Sequence, residues 1–258
     1  MVYLKELVGE AIGTFILVLF GCGSVAGAVL FNTFTSLLEV ALIWGFGVTI
    51  AIFVTRNICP AHLNPAVSLA MVIMGKLSLR KLPSYILFQM IGAFLAALVL
   101  FLTLENAIIT YELNNNIVRG SLDSVQTAMF FGEYFPNPGL MELISVSVYL
   151  AFSMEFLGTF LLVFVILKVT ESSKQIDNIT PLIIGLTVTV IICLAAPFTQ
   201  AGLNPARDFA PRIVAYWAGW GNVAFPPIPF SFFTVYILAP MLAAVGAVYV
   251  HKLSLAKR

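Results

Sequence analysis

The chain has 258 residues, of which 60% are hydrophobic and only 10% are charged, whereas about a quarter of an ordinary soluble domain is charged. Its 13 Lys and Arg nearly balance 12 Asp and Glu, which excludes the strongly basic face of a nucleic-acid-binding protein and the high net charge of a disordered chain. So much apolar sequence cannot be buried in a soluble globule of this size. The composition therefore predicts an all-α membrane protein with several spans.

Six apolar runs are long enough to cross a hydrocarbon core of roughly 30 Å as helices. In chain order they are 7–30, 37–54, 82–104, 143–167, 179–196 and 230–250. Two shorter apolar segments, 61–74 and 203–217, have the length expected of re-entrant half-helices. The segment 107–142 is long and polar, and a loop of that length is usually functional or disordered.

The basic residues predict which side of the membrane each connection faces. All of them except Arg119, Arg207 and Arg212 lie near the chain ends or in the segments that follow the second and fourth spans. Because Lys and Arg concentrate in cytoplasmic loops, we expect both termini in the cytoplasm, which an even number of spans allows. The expected location is the cell membrane, plasma or inner, with the lipid bilayer as the surrounding partner.

The two halves of the chain resemble each other. The sequence Glu10-Ala-Ile-Gly-Thr-Phe returns as Glu155-Phe-Leu-Gly-Thr-Phe, and Asn64-Pro-Ala returns as Asn204-Pro-Ala. Each half reads as span, span, half-helix, span, over about 5–106 and 143–252 of a single domain that covers 1–258. Since three crossings per half reverse the side of entry, the second copy is inverted, and such repeats place a permeation site at their interface.

The duplicated Asn-Pro-Ala motif is the most informative feature. Its members are Asn64, Pro65 and Ala66 in the first half and Asn204, Pro205 and Ala206 in the second. Asn is a preferred N-cap and Pro suits the first helical turn, so each motif predicts the start of a half-helix. Inversion points the two N-termini at each other, each with about half a positive charge. They would repel cations, orient a passing hydroxyl or water oxygen, and interrupt proton relay along a water chain.

On these motifs the chain resembles the major intrinsic protein family, the aquaporins and aquaglyceroporins, and is most similar to the bacterial glycerol uptake facilitators. The resemblance rests on AHLNPAVSL, GLNPARDF, IVRGSLDSV, FPNPG and AGWGNVAF, and it covers nearly the whole chain. It implies the aquaporin fold, with six transmembrane helices and two re-entrant half-helices in an inverted repeat. It also implies a homotetramer with one pore in each subunit.

The resemblance implies a narrow selectivity filter at the outer end of the pore. Arg207 would be costly at membrane depth unless it faced a wet cavity or a partner such as Asp208, and in the family it binds the permeant and excludes cations. Trp44 lies where glycerol facilitators carry their filter tryptophan, although tryptophans also occur at membrane interfaces. The remaining filter positions fall on Ile192 and Ala201, where glycerol facilitators usually have Gly and Phe. The quartet is similar to that of the plant nodulin-like intrinsic proteins, and the lack of His at Ile192 argues against strict water selectivity.

Irregular backbone at membrane depth is tolerated where it lines a cavity. The segments before the two motifs can point carbonyl groups into a pore, as their family equivalents do. They are Pro60, Ala61, His62 and Leu63 in the first half and Gln200, Gly202 and Leu203 in the second. Glu10 and Glu155 lie inside apolar spans at equivalent positions, and the resemblance makes them scaffold carboxylates for these loops. Two alternatives stay open, since the carboxylates could relay protons and the His62 ring could gate the pore with pH.

Together these features predict a passive channel for glycerol and similar small neutral solutes, with some water flux, that excludes protons and ions. Because the filter departs from the glycerol pattern, a water-selective aquaporin and a facilitator of lactic acid, urea or dihydroxyacetone are alternatives. A proton-coupled transporter and a structural membrane protein with little conductance are rivals of other classes. Three cysteines without paired spacing, and only two histidines, indicate no enzyme, no metal site and no cofactor.

Overall fold

The structure, a computed structural model, describes residues 2–140, 143–171 and 178–256. Its helices in chain order are α1 Val2–Phe31, α2 Leu37–Thr55, α3 Pro65–Ile73, α4 Leu82–Asn114, α5 Val125–Ala128, α6 Val148–Thr170, α7 Thr180–Thr199, α8 Pro205–Ala215 and α9 Ala239–Leu255. Within these ranges there is no strand, and six helices are long and apolar enough to cross a membrane. The protein is a multi-pass all-α membrane protein, and the predicted fold class is confirmed.

The third span is longer than the apolar run that predicted it. The run 82–104 placed the end of α4 near residue 104, but the helix continues to Asn114, so the start of the polar segment 107–142 is helical. At 33 residues and about 1.5 Å per residue, α4 is about 50 Å long and extends well beyond a hydrocarbon core of roughly 30 Å. Hydropathy could not predict this extension, because a helix that has left the membrane no longer needs apolar side chains.

The last span does not begin as the uniform helix that the run 230–250 predicted. Phe233–Leu238 is a π-helical turn, and the regular α-helix Ala239–Leu255 follows it. Pro240 has no backbone N–H, so the carbonyl group of Tyr236 loses its usual α-helical donor. Widened turns of this kind accommodate such a break in the hydrogen-bond pattern.

The same order of elements occurs twice, over 2–114 and over 148–255: two long helices, one half-helix and a third long helix. The contacts also repeat, because α1 packs against α2 and α4 while α6 packs against α7 and α9. Each half-helix packs against a long helix of the other half, α3 against α9 and α8 against α4. The description of these halves as inverted repeats stays a prediction.

The two halves meet closely where α2 crosses α7. A Cβ atom on Gly185 would lie 2.3 Å from the carbonyl oxygen of Gly45, and a Cβ on Gly45 would lie 2.6 Å from the carbonyl oxygen of Gly185. Small residues permit such a close approach of two membrane helices. The hydroxyl group of Thr189 on α7 links the two helices by donating a hydrogen bond to the carbonyl oxygen of Ala41 on α2 at 3.1 Å. The crossing therefore sets the distance between Trp44, the neighbour of Gly45, and α7.

We expect Gly185→Ala to destabilise the bundle by roughly 1–3 kcal/mol, because the two helices must separate to admit the methyl group. Thermal unfolding of the detergent-solubilised protein measures the effect. Gly246→Ala is the matched control, since the nearest atom to a Cβ there lies 3.5 Å away on Phe156. Equal unfolding midpoints for the two variants would show that the crossing is not tight.

Candidate functional site

The two Asn-Pro-Ala motifs begin the half-helices α3 and α8. Asn64 and Asn204 are the N-caps, both with extended backbone, and a proline follows each within the first turn. The side-chain oxygen of Asn64 accepts from the N–H of Ala66 at 2.8 Å, and that of Asn204 accepts from the N–H of Ala206 at 3.0 Å. Each side chain therefore satisfies a backbone donor that the start of a helix leaves open.

Each Asn amide also reaches the opposite half of the chain. Nδ2 of Asn64 donates to the carbonyl oxygen of Leu203 at 2.9 Å, and Nδ2 of Asn204 donates to the carbonyl oxygen of Leu63 at 2.8 Å. The N-termini of α3 and α8 thus lie together, and so do their partial positive charges. Both Asn side chains line one cavity.

The backbone before each motif is irregular in a matched way. Ala61 and Leu63 have φ angles of 52° and 54°, and Ala201 and Leu203 have φ angles of 64° and 57°. Left-handed conformations of this kind cost non-glycine residues about 1–3 kcal/mol each and persist only when the surroundings hold them. These two loops therefore need support from neighbouring groups.

Glu10 supports the first loop. Its carboxylate is fully buried and accepts from the N–H groups of His62 at 2.8 Å and Leu63 at 2.7 Å, and from Nε2 of Gln89 at 2.8 Å. The His62 ring is held separately, with Nδ1 3.3 Å from Oγ of Ser68. The carboxylate thus holds the backbone from behind, while His62 and Leu63 line the cavity.

Glu155 supports the second loop in the same manner. It is fully buried and accepts from the hydroxyl of Thr199 at 2.6 Å and from the N–H groups of Gly202 at 2.9 Å and Leu203 at 2.8 Å. Neither Glu155 nor Glu10 is among the residues that line the cavity. The two carboxylates therefore lie behind the loops at matched places.

One residue predicted to point its carbonyl group into the cavity is not among the lining residues. Gln200 is absent from the lining, and its side chain turns towards the segment that precedes α6, while the direction of its carbonyl group stays a prediction. Its Oε1 accepts from the N–H of Tyr134 at 2.8 Å, and its Nε2 donates to the carbonyl oxygen of Met129 at 3.3 Å. The predicted wall residues that do line the cavity are Pro60, Ala61, His62, Leu63, Gly202 and Leu203. The motif residues Pro65, Ala66, Pro205 and Ala206 are buried in the first turns behind it.

The cavity has a volume of about 680 Å³. It extends from Trp44 and Arg207, past the two Asn side chains, to Arg56 at the end of α2 and Lys76 beyond α3. Its wall combines the irregular backbone of the two loops with apolar side chains. The apolar lining includes Leu17, Val48, Leu162, Ile166, Ile184 and Val188. Such a wall suits a solute that presents both hydroxyl groups and carbon surface.

The four residues predicted as the filter all line this cavity. The guanidinium of Arg207 lies over the ring of Trp44, with Cζ 4.3 Å from the ring centroid, within the range of cation–π attraction. Ile192 and Ala201 complete the set, and each is 5% exposed. Within the part of the chain that the structure describes, Nη1 of Arg207 has no hydrogen-bond partner. Nη1 is buried, so it is a donor that the described residues leave unsatisfied beside the cavity.

A family model described as Major intrinsic protein matches residues 1–251. The chain belongs to the major intrinsic protein family. The glycerol uptake facilitator protein of Pseudomonas aeruginosa is 40% identical to this chain, and the match covers 93% of this chain and 84% of the relative. The glycerol uptake facilitator protein of Haemophilus influenzae is 37% identical, over 95% and 91%. The X-ray structure of the aquaglyceroporin from Plasmodium falciparum matches 96% of this chain and 95% of its own, with a TM-score of 0.79 and 26% identity.

This major intrinsic protein carries a filter contact that no sequence pattern identified. Glu133 is 2% exposed and forms an ion pair with Nη2 of Arg207. The only signal was an acidic residue among aromatic ones in the polar segment 107–142, and nothing tied that segment to the filter. Asp208, which the sequence offered as a partner for Arg207, instead pairs with Arg212 at 2.9 Å.

Asp208 and Arg212 clamp the backbone of Glu133 from both sides. The N–H of Glu133 donates to Oδ1 of Asp208 at 2.7 Å, and its carbonyl oxygen accepts from Nη2 of Arg212. Arg212 is fully buried, and its Nη1 also donates to the carbonyl oxygen of Ala224 at 2.6 Å. Asp208 and Arg212 on α8 therefore fix the place where the Glu133 side chain contacts Arg207.

Proposed function

We propose that this major intrinsic protein is a passive channel for glycerol and similar small neutral solutes, with some water flux, rather than an enzyme. The cavity that joins the Asn pair to the four filter residues supports this most directly. Two relatives over most of the chain are glycerol uptake facilitators, and a structural neighbour is an aquaglyceroporin. The solutes named for those proteins are therefore the first candidates here.

Solute selection follows from the hydrogen-bonding part and the apolar part of the cavity wall. A hydroxyl group that leaves water without a new partner costs several kcal/mol, so a polyol needs hydrogen-bonding groups along its path. Arg207 and the two loops that line the cavity can provide them. Ile192 and the other aliphatic side chains of the lining face the carbon surface of the solute. Ile192 offers no hydrogen bond, which favours a polyol over strict selectivity for water.

Proton exclusion follows from the Asn pair. A side-chain amide has two N–H donors, and Nδ2 of Asn64 and of Asn204 each uses one on a loop carbonyl. The second donor of each can bind the oxygen of a passing water molecule. That water is then oriented with its hydrogens pointing away on both sides, while the half-helix N-termini repel a hydronium ion.

The coupled-transporter alternative is weakened by the setting of Glu10 and Glu155. A proton relay must exchange protons with the transport path, but these carboxylates lie behind the loops and accept three hydrogen bonds each. Proteoliposomes test the alternative, since channel flux of glycerol should be linear in the gradient and unaffected by a proton ionophore. Inhibition by the ionophore would favour coupling.

Replacing Ala201 by Phe should raise the preference for glycerol over urea by about tenfold, because the ring narrows the filter and extends its apolar wall. The ratio of the two permeabilities in stopped-flow light scattering measures the change. Leu102→Phe on α4 is the control, since Leu102 is 64% exposed and lies outside the cavity lining. An unchanged ratio in Ala201→Phe would remove this residue from the filter.

We place both termini in the cytoplasm and the protein in the plasma or inner membrane. Contacts made by basic side chains support this orientation because they gather at one end of the bundle. They are Lys81 to Glu6 at 3.0 Å, Lys252 to the Ile73 carbonyl at 3.0 Å and Lys168 to Ser254 at 2.6 Å. Lys174, Lys257 and Arg258, which also entered the prediction, lie outside the described residues. Protease access to a C-terminal tag in sealed vesicles of known orientation would test the placement.

The homotetramer is also a proposal, and it rests on the family resemblance. Many large apolar side chains are exposed on the single chain, including Phe46, Phe53, Leu102 and Tyr149, and lipid or neighbouring subunits can cover them. Light scattering of the detergent-solubilised protein would give the subunit number.

A further inference from the structure

The ion pair between Glu133 and Arg207 places a second charge at the filter. Both residues are almost completely buried, at 2% and 3% exposed. The Glu133 backbone is held at its N–H by Asp208 and at its carbonyl by Arg212. These two hydrogen bonds fix the position from which the carboxylate reaches Arg207. Arg207 meets this carboxylate with Nη2 and leaves Nη1 without a partner in the described residues.

A buried ion pair at this point changes the charge that a solute meets. A filter built around an unpaired arginine would carry a full positive charge, whereas here a carboxylate in direct contact cancels it. Because opposite charges interact strongly where water is excluded, neither charge acts alone while the other is present. Arg207 in turn prevents the carboxylate from attracting cations.

Resting on the channel function proposed above, we propose that Glu133, which lies outside the cavity lining and contacts the filter residue Arg207, is a positioning residue of the filter and a determinant of specificity. It positions Arg207 and cancels its charge, so that the filter selects neutral solutes. Removing Arg207 alone would leave a buried carboxylate next to the space that the guanidinium group had filled over the Trp44 ring. A filter that normally favours neutral solutes would then bind small cations, and guanidinium best of all.

The surroundings of Glu133 set when it is charged. The charged and titratable groups that face it are Arg207, Asp208 and Arg212 on α8, Glu155 on α6, Cys22 on α1, Tyr134 beside it and Tyr236 before α9. Burial raises the pKa of Glu133 above the ordinary value of a carboxyl group, while Arg207 acts to lower it and Asp208 to raise it. Without Arg207 that lowering is lost and the pKa rises further, so the carboxylate becomes ionised only at alkaline pH.

Block of glycerol flux by guanidinium tests the proposal. Reconstituted Arg207→Ala should be blocked by millimolar guanidinium chloride at pH 9, and at least about tenfold more strongly than Arg207→Ala/Glu133→Gln, because an ionised carboxylate attracts the cation. Urea, a neutral molecule of similar shape, should not block. The block should strengthen from pH 6 to pH 9 in Arg207→Ala and stay flat in the double variant. Arg207→Ala/Glu105→Gln is the matched control, since Glu105 is exposed on α4, and it should be blocked like Arg207→Ala.

Equal guanidinium sensitivity with and without Glu133, or a block that does not change with pH, would overturn the proposal. Absence of glycerol flux in the unaltered protein would instead overturn the channel function itself. If the double variant alone fails to conduct glycerol, Glu133→Gln decides the question. Its Arg207 would be uncompensated, so formate flux at pH 7 should exceed that of the unaltered protein several-fold. An unchanged formate flux would contradict the proposal.

Discussion

Glu155→Leu should abolish glycerol flux and lower the free energy of unfolding by roughly 3 kcal/mol or more. The substitution leaves three donors without an acceptor, the Thr199 hydroxyl and the N–H groups of Gly202 and Leu203. Each buried donor left unpaired costs about 1–3 kcal/mol. The left-handed backbone at Leu203 would also lose its support, so the loop should collapse into the cavity. Thermal unfolding and stopped-flow glycerol flux measure the two effects.

The repeated architecture provides internal controls for this result. Glu10→Leu removes the equivalent carboxylate and should act like Glu155→Leu, whereas Glu105→Leu on the exposed face of α4 should leave flux and stability unchanged. Glu155→Gln keeps the side-chain shape and an acceptor oxygen, so it should retain part of the flux. Full glycerol flux in both Leu variants of the buried pair would show that neither carboxylate is a scaffold.

Arg212→Met should lower the free energy of unfolding by about 3–5 kcal/mol, since it leaves the fully buried Asp208 without its counter-charge. It also removes the donors to the carbonyl oxygens of Glu133 and Ala224. We therefore expect the loop that carries Glu133 to detach from α8. Denaturant or thermal unfolding measures the loss, and limited proteolysis locates it in that loop.

Two further variants help to explain the lower free energy of unfolding of Arg212→Met. Asp208→Leu/Arg212→Met should recover part of the stability, because replacing both members of a buried pair by apolar residues is often neutral. Recovery should be incomplete, since the N–H of Glu133 loses its acceptor. Lys76→Met breaks a partly exposed pair with Glu171 and should cost less than about 1 kcal/mol. If Arg212→Met costs no more than Lys76→Met, the clamp does not hold the loop.

The fold could be predicted from the sequence because its main features are local. Each span needs a long apolar run, and each half-helix needs an N-cap followed by proline, as at Asn64 and Asn204. The features that could not be predicted lack such a local signal. The end of α4 at Asn114 lies beyond the apolar run that a membrane crossing requires, and the π-helical turn before Pro240 reflects how a helix accommodates a missing donor.

The site could be predicted where residues belong to a repeated motif or stand at fixed distances from it. Trp44 and Arg207 were identified in this way, and the structure brings them together. Glu133 and the clamp formed by Asp208 and Arg212 depend on contacts between distant parts of the chain. Gln200 lies beside the wall residues in sequence, but its side chain serves the same distant loop.

The half-helices α3 and α8 meet at their N-termini, and we propose that the cavity beside them is the hydrogen-bonding path of the solute. Stopped-flow light scattering of proteoliposomes tests it most directly, with water, glycerol, urea and lactic acid as permeants. We predict that the glycerol flux of the proteoliposomes exceeds that of protein-free liposomes by at least about tenfold, since hydrogen-bonding groups along the cavity remove most of the cost of dehydrating the solute. We also predict that Asn64→Leu/Asn204→Leu abolishes this excess. Glycerol flux equal to that of protein-free liposomes, or unaffected by loss of both Asn side chains, would contradict the claim.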